Sequence, residues 1–148
     1  MSRIRGKDTR PELLLRRALH TRGLRYRLNV CDLPGRPDLV FPARRAVIFM
    51  HGCFWHQHDC DRFKWPKTRK AFWTTKLNAN VERDARVLDD LDALGWRTLV
   101  VWECALTGPQ RMPIDKLAAL AADFVAGERT EMEITGAKPV RLRRISAR

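Results

Sequence analysis

This sequence predicts a mixed α/β fold, more fully an α+β arrangement with a central mixed β-sheet flanked by helices. Three observations carry that expectation. Short apolar runs at Asp38-Leu39-Val40-Phe41, Ala46-Val47-Ile48-Phe49-Met50 and Arg97-Thr98-Leu99-Val100-Val101-Trp102 have the length and branched side chains of buried strands. Longer stretches with helical spacing precede, separate and follow them. The 148 residues, 45% hydrophobic and 31% charged, suffice for one core without disulfide support. The expected organisation is one domain over 1–148, with a basic arm at 1–8 and a peripheral basic tail at 128–148.

The first helix is announced by Thr9-Arg10-Pro11-Glu12, a capping-box pattern with an early proline. Leu13, Leu14, Ala18 and Leu19 form its expected buried stripe, and Gly23 its stop. Leu24 to Val30 alternates apolar and polar residues, which predicts a half-buried strand. After a loop over Cys31 to Pro37, the two apolar runs joined by Pro42-Ala43-Arg44-Arg45 predict an antiparallel hairpin at the centre of the sheet. From His51 to Pro66 periodicity disappears, and His, Cys, Trp, Asp and Lys crowd together. Thr68 to Leu94 reads as helix broken near Asn78-Ala79-Asn80, with Val81, Ala85, Leu88, Leu91 and Leu94 on one face and Gly95 as its stop. Arg97 to Trp102 is a buried strand, and a last helix runs from about Ile114 to Val125, ended by Gly127.

The formal charge is +12 and the isoelectric point about 10.6. Such a surface attracts phosphate polymers and releases their counterions on binding, which makes nucleic acid the leading partner. No apolar run is long enough to span a bilayer, and Met1 to Lys7 lacks the apolar core of a secretory signal, so the expected address is the cytoplasm, without membrane contact. Four cysteines in such a compartment point to metal rather than to disulfides.

Cys53, His58 and Cys60 lie in one loop as Cys-x4-His-x-Cys, and Cys104 follows the last strand, where it can close a fourth corner. Three cysteines with one histidine make a tetrahedral zinc composition, with His51 and His56 competing for the histidine place; separate buried thiols are the plainer alternative. Asp38, after Pro37 at a strand start, suits a hard cation such as magnesium, against the plainer role of capping a turn. His51 and His56 can take a proton from water near neutral pH, or be structural. Phe54, Trp55, Phe63, Trp65, Phe72 and Trp73 alternate with Arg62, Lys64, Lys67, Arg69 and Lys70. Apolar wedges beside cations are what unstacking a duplex requires. Phe72 alone reads as a core residue on the inner face of its helix.

Pro34-Gly35-Arg36-Pro37-Asp38, then Phe49-Met50-His51-Gly52-Cys53-Phe54-Trp55-His56, then Val101-Trp102-Glu103-Cys104-Ala105-Leu106 resemble the very-short-patch mismatch repair endonucleases, over about Thr9 to Gly127. The resemblance implies a restriction-endonuclease-like fold and a nick in one strand of double-stranded DNA beside a T·G mismatch, the lesion left when 5-methylcytosine deaminates. It implies Asp38 as magnesium ligand, His56 as general base, His51 as a second active-site histidine and Glu12 as an ordering acid. By the same resemblance Cys53, His58, Cys60 and Cys104 hold structural zinc, and Phe54, Trp55 and Trp73 enter the duplex. Met50 stands where the family pattern has a threonine whose backbone carbonyl reaches magnesium, a role the substitution preserves. The expected protein is a monomer, with other mismatch-repair proteins as further partners. From the residues alone, a zinc-stapled DNA binder without cleavage and a nuclease of other specificity, restriction or branched-junction, stay open.

Overall fold

The computed structural model describes residues 9–136 and the backbone of Arg141 and Leu142. The arm at 1–8 and the rest of the basic stretch after Lys138 lie outside the described residues. Among the described residues one five-stranded sheet runs in the order β1 (Leu39–Phe41), β2 (Ala46–His51), β3 (Arg97–Trp102), β4 (Glu131–Ile134) and β5 (Arg141–Leu142). Strands β2, β3 and β4 are parallel, and β1 and β5 run antiparallel to their neighbours. Around the sheet lie helices α1 (Arg10–Thr21), α2 (Lys70–Ala93), the one-turn α3 (Glu103–Leu106) and α4 (Ile114–Ala126).

The period of two along each strand sorts side chains to two faces. Leu39, Phe41, Ile48, Leu99 and Val101 pack with Leu15 and Leu19 of α1 and with Leu117, Ala121 and Phe124 of α4. Val40, Val47, Phe49, Val100 and Trp102 pack on the other side with Leu91 of α2, Cys53 and Cys104. With a crossover helix on each face, both sides of β2 and β3 are dry, which explains why these strands read as continuous apolar runs. No helix among the described residues is long and apolar enough to cross a membrane.

Several expectations need correction. The capping box at Thr9 does not form: the Thr9 side chain makes no cap bond, and Glu12 accepts instead from Arg16 Nη2 at 3.0 Å. The inward stripe of α1 is Glu12, Leu15 and Leu19, with Leu14 and Ala18 only partly buried beside it. Leu24 to Val30 is not a strand. It makes a single antiparallel bridge, Arg27 to Val40, because Leu28 is exposed and Asn29 takes a left-handed φ of 59° that turns the chain off the sheet. The hairpin forms, but β1 is the sheet's edge and not its centre.

Helix α2 is unbroken through Asn78-Ala79-Asn80, since both asparagine side chains find partners off the helix: Asn78 accepts from Gln57 at 2.6 Å and Asn80 donates to the Trp55 carbonyl at 3.0 Å. Its buried residues are Leu77, Leu88 and Leu91, while Val81, Ala85 and Leu94 are exposed. The stretch expected as a peripheral tail from residue 128 supplies β4, where Glu131, Met132 and Ile134 are buried. Glu133 in that strand accepts the buried Trp102 indole N–H at 2.8 Å.

Candidate active site

The C-terminal ends of parallel β2 and β3 lie side by side, with His51 opposite Trp102 in register. Everything the sequence singled out gathers at this end, where parallel strands open a crevice. Asp38 arrives from the antiparallel β1. Its approach loop requires Gly35, which has a φ of 75° and packs so close to α2 that an added Cβ would come within 2.5 Å of Val87 Cγ1.

Asp38 Oδ2 accepts the Met50 backbone N–H at 2.7 Å, which ties the acid to β2. Burial, and beyond it the neighbouring Glu12 carboxyl, push Asp38 up to about 7, against the pull of the Met50 hydrogen bond and the Arg16 charge. Glu12 is itself only 4% exposed. Two buried carboxyls side by side, with Arg16 paired to one of them, form a site that a further cation would stabilise. Both acids line a cleft of about 590 Å³ with Met50, Trp55, His56, Lys76, Asn80 and Arg83.

Across this cleft His56 Nδ1 lies 2.5 Å from Asp84 Oδ2. An Nδ1–H donated to that carboxylate leaves Nε2 as the unprotonated nitrogen. His51 stacks behind His56, ring centroids 3.9 Å apart and 1° from parallel, with its other neighbours Phe49 and Trp102. Donor atoms of His51, His56 and Asp84 come within 4.8 Å of one another. Parallel rings, however, hold their in-plane lone pairs in parallel planes, an arrangement that does not suit convergence of both on one ion.

Sequence reasoning misses Asp84. Its signal is visible once the face of α2 is phased correctly: Leu77, Asn80, Asp84, Leu88 and Leu91 follow helical spacing, and both polar residues on that stripe reach the loop.

Cys53, His58, Cys60 and Cys104 come together as expected, their donor atoms within 4.8 Å of one another. His58 Nδ1 stands 3.5 Å from Cys53 Sγ and 3.6 Å from Cys104 Sγ. Bond lengths of about 2.3 Å to sulfur and about 2.05 Å to nitrogen at a tetrahedral angle give an edge of about 3.6 Å, so these atoms fit around one tetrahedral ion. Without an ion the thiols divide a proton: the Cys53 thiol, with help from His58 and the Gly136 N–H, draws Cys104 down to about 4, while its own hydrogen bond to Cys104 and burial push Cys53 up. Outer bonds orient the set. Gly136 N–H donates to Cys104 Sγ at 3.3 Å, Arg62 N–H to Cys60 Sγ at 3.4 Å, and the His58 ring stacks on Trp102 at 4.0 Å. His51 and His56 are not members. Glu103 fastens the loop further, accepting from Cys53 N–H at 3.2 Å and from Arg62 at 3.1 Å.

The three aromatics expected to act together are together. Phe54 lies 5.1 Å from Trp55 and 5.4 Å from Trp73, and Trp55 lies 5.9 Å from Trp73. Each is half-buried; Trp55 lines the cleft that holds Asp38 and His56, and Phe54 and Trp73 pack against it. Phe72 is a correction: it is 44% exposed, with the Arg69 guanidinium 4.2 Å over its ring, and belongs to the surface rather than the core.

Known proteins resemble this chain over most of its length. Residues 1–62 match the family model described as DNA mismatch endonuclease Vsr. The DNA mismatch endonuclease Vsr of Escherichia coli (strain K12) is 45% identical over 134 residues, covering 90% of this chain and 86% of its own. The Type II nicking enzyme V.XorIIP of Xanthomonas oryzae pv. oryzae is 51% identical over 107 residues, 72% of this chain and 79% of the relative. The Type II nicking enzyme V.NmeAIP of Neisseria meningitidis serogroup A is 42% identical over 106 residues, 72% and 76% of the two chains. With such identity along nearly its whole length, and with its motif residues converging on one cleft, the chain belongs to the Vsr family of DNA mismatch endonucleases.

Proposed function

We propose that this protein is a DNA mismatch endonuclease that nicks one strand of duplex DNA beside a T·G mismatch. The observation that carries the reading is that Asp38 and His56, the latter held by Asp84, line one cleft together with Trp55, on which Phe54 and Trp73 pack. The mixed sheet with its acid beside the edge strand supports a restriction-endonuclease-like fold.

In this mechanism the aromatic rings enter the stack and bring the backbone into the cleft, where Lys76 and Arg83 face its phosphates. Asp38 and the Met50 carbonyl would hold magnesium, with Glu12 ordering Asp38; the buried acid pair fits a hard divalent cation. Such an ion would supply charge neutralisation at the attacked phosphate. His56 Nε2 takes a proton from water as the water oxygen bonds to phosphorus, and Asp84 steadies the imidazolium through Nδ1–H. The bond from phosphorus to the 3′ oxygen breaks, that oxygen takes a proton from solvent water, and the His56 imidazolium returns its own proton to solvent. The products are a 5′-phosphate and a 3′-hydroxyl. His51, stacked on His56, keeps the base's ring plane in place. Three sulfur donors with one nitrogen, two of the thiols fully buried, suit structural zinc, which staples the loop to the end of β3.

Labelled duplexes that differ only in a central T·G or C·G pair test the proposal, with magnesium or chelator and with Asp38→Ala. Magnesium-dependent nicking of the T·G duplex by wild type alone is the expected result. Equal nicking of both duplexes would sink the mismatch specificity, activity in Asp38→Ala would sink the ligand assignment, and binding without any nick would favour a zinc-stapled DNA binder.

A further inference from the structure

The aromatic cluster does not end at the three rings of the wedge. Phe63 lies 5.9 Å from Phe54, and Trp65 lies 5.1 Å from Phe63, so the rings continue outward along the loop. Trp65, at 47% exposure, is the most exposed aromatic side chain among the described residues. Tryptophan, with an apolar body and a polar N–H, is enriched at contact surfaces, and here its ring continues a row of neighbouring aromatics instead of standing alone. Phe72, the next most exposed, already has a guanidinium over its face. On either side of Trp65 stand Lys64 and, past Pro66, Lys67, both exposed. An aromatic platform between two cations matches a sugar–phosphate polymer, with phosphates for the ammonium groups and an apolar sugar or base for the indole. The two ring-to-ring steps, 5.9 and 5.1 Å, put Trp65 within about 11 Å of Phe54. At about 3.4 Å per step along a strand, that reach is at most about three base steps.

We propose that Lys64-Trp65-Pro66-Lys67 is an outer DNA clamp, in which Trp65 packs on the duplex within about three base steps of the wedge while Lys64 and Lys67 contact the flanking phosphates. The assignment rests on the reading of this chain as a DNA endonuclease. Because the clamp lies outside the mismatch, it adds affinity and carries no information about which pair is at the centre.

Anisotropy titrations of the full chain on labelled T·G and C·G duplexes, with single-turnover nicking at saturating protein, test it. Trp65→Ala is expected to weaken binding about tenfold, by the same factor on both duplexes, with the saturating nicking rate kept. Trp65→Phe should recover most of the loss. The double variant Lys64→Ala with Lys67→Ala should reduce the slope of log affinity against log salt by about two. Thermal unfolding of the variants at the wild-type temperature separates lost contact from lost fold. Wild-type affinity in Trp65→Ala, together with an unchanged salt slope in the lysine variant, overturns the clamp, as does a loss confined to the T·G duplex. Wild type that binds neither duplex refutes the functional reading, and the clamp with it; wild type that binds while the variants match it refutes the clamp alone.

Discussion

Asp38 has a folded pKa of about 7 against an ordinary 3.8, and the direction of that shift has consequences for stability and for activity. Below about pH 4 both the folded and the unfolded chain hold the proton, and Asp38 costs nothing. Between about 4 and 7 the unfolded chain releases a proton that the folded chain keeps, so stability falls as pH rises, and above about 7 the cost is constant. In the absence of magnesium, melting temperatures from pH 5 to 8 should therefore decline more steeply for wild type than for Asp38→Asn, with the variant the more stable at pH 8. A bound cation favours the carboxylate, so the acid limb of nicking activity should lie near 7 at limiting magnesium and move to lower pH as magnesium rises. A limb that stays in place would count against Asp38 as the cation's ligand. Asp38, the histidines and the thiol quartet are legible in the sequence because most of them sit within a few residues of one another in the Pro34 to Cys60 region. Asp84 is not, because its partner is 28 residues away and the apolar pattern of its helix joins Val81, Ala85 and Leu94 to Leu88 and Leu91, where the buried stripe runs back to Leu77 instead.

At the scale of elements, β2 and β3 can be read from their apolar runs and α4 from its helical spacing, because each buries what its pattern says it buries. Strand β4 escapes because Glu131-Met132-Glu133-Ile134 looks like charged tail, yet alternation is present in it and one of its acids serves the Trp102 indole. Leu24 to Val30 fails in the opposite sense: alternation is present, but the left-handed Asn29 ends the pairing after one bridge. The thiol site joins these elements. It connects the loop after β2 through Cys53, His58 and Cys60, the start of α3 through Cys104, and the end of β4 through the Gly136 N–H. Cys104→Ser should consequently loosen all three at once. If metal affinity falls a hundredfold, the linked loss is about 2.7 kcal/mol, which for a chain of this size lowers the melting temperature by roughly 5–11 °C. Metal analysis and thermal unfolding of the same sample check it; full metal content with an unchanged melting temperature would remove Cys104 from the site.

For the whole molecule, the excess of 29 lysines and arginines over 17 acids is the term that the fold itself does not need. Lys76 and Arg83 line the cleft, and Lys64, Lys67, Arg69 and Lys70 crowd the loop and the start of α2 beside the aromatic cluster, so much of the excess lies where the proposed substrate would lie. Each phosphate neutralised releases counterions, and a protein that neutralises about six loses roughly a thousandfold in affinity between 50 and 200 mM salt. Duplex binding by this chain should show a fall of that order, and a nearly flat titration would mean that the positive charge serves solubility instead. The ratio of T·G to C·G affinity should behave differently. The phosphates are the same in both duplexes, so counterion release cancels in the ratio, and what survives is the difference in the work of opening the stack for Phe54, Trp55 and Trp73. The discrimination should hold constant while the affinity collapses, and measuring both duplexes across one salt series separates the charge of the molecule from the chemistry of its cleft.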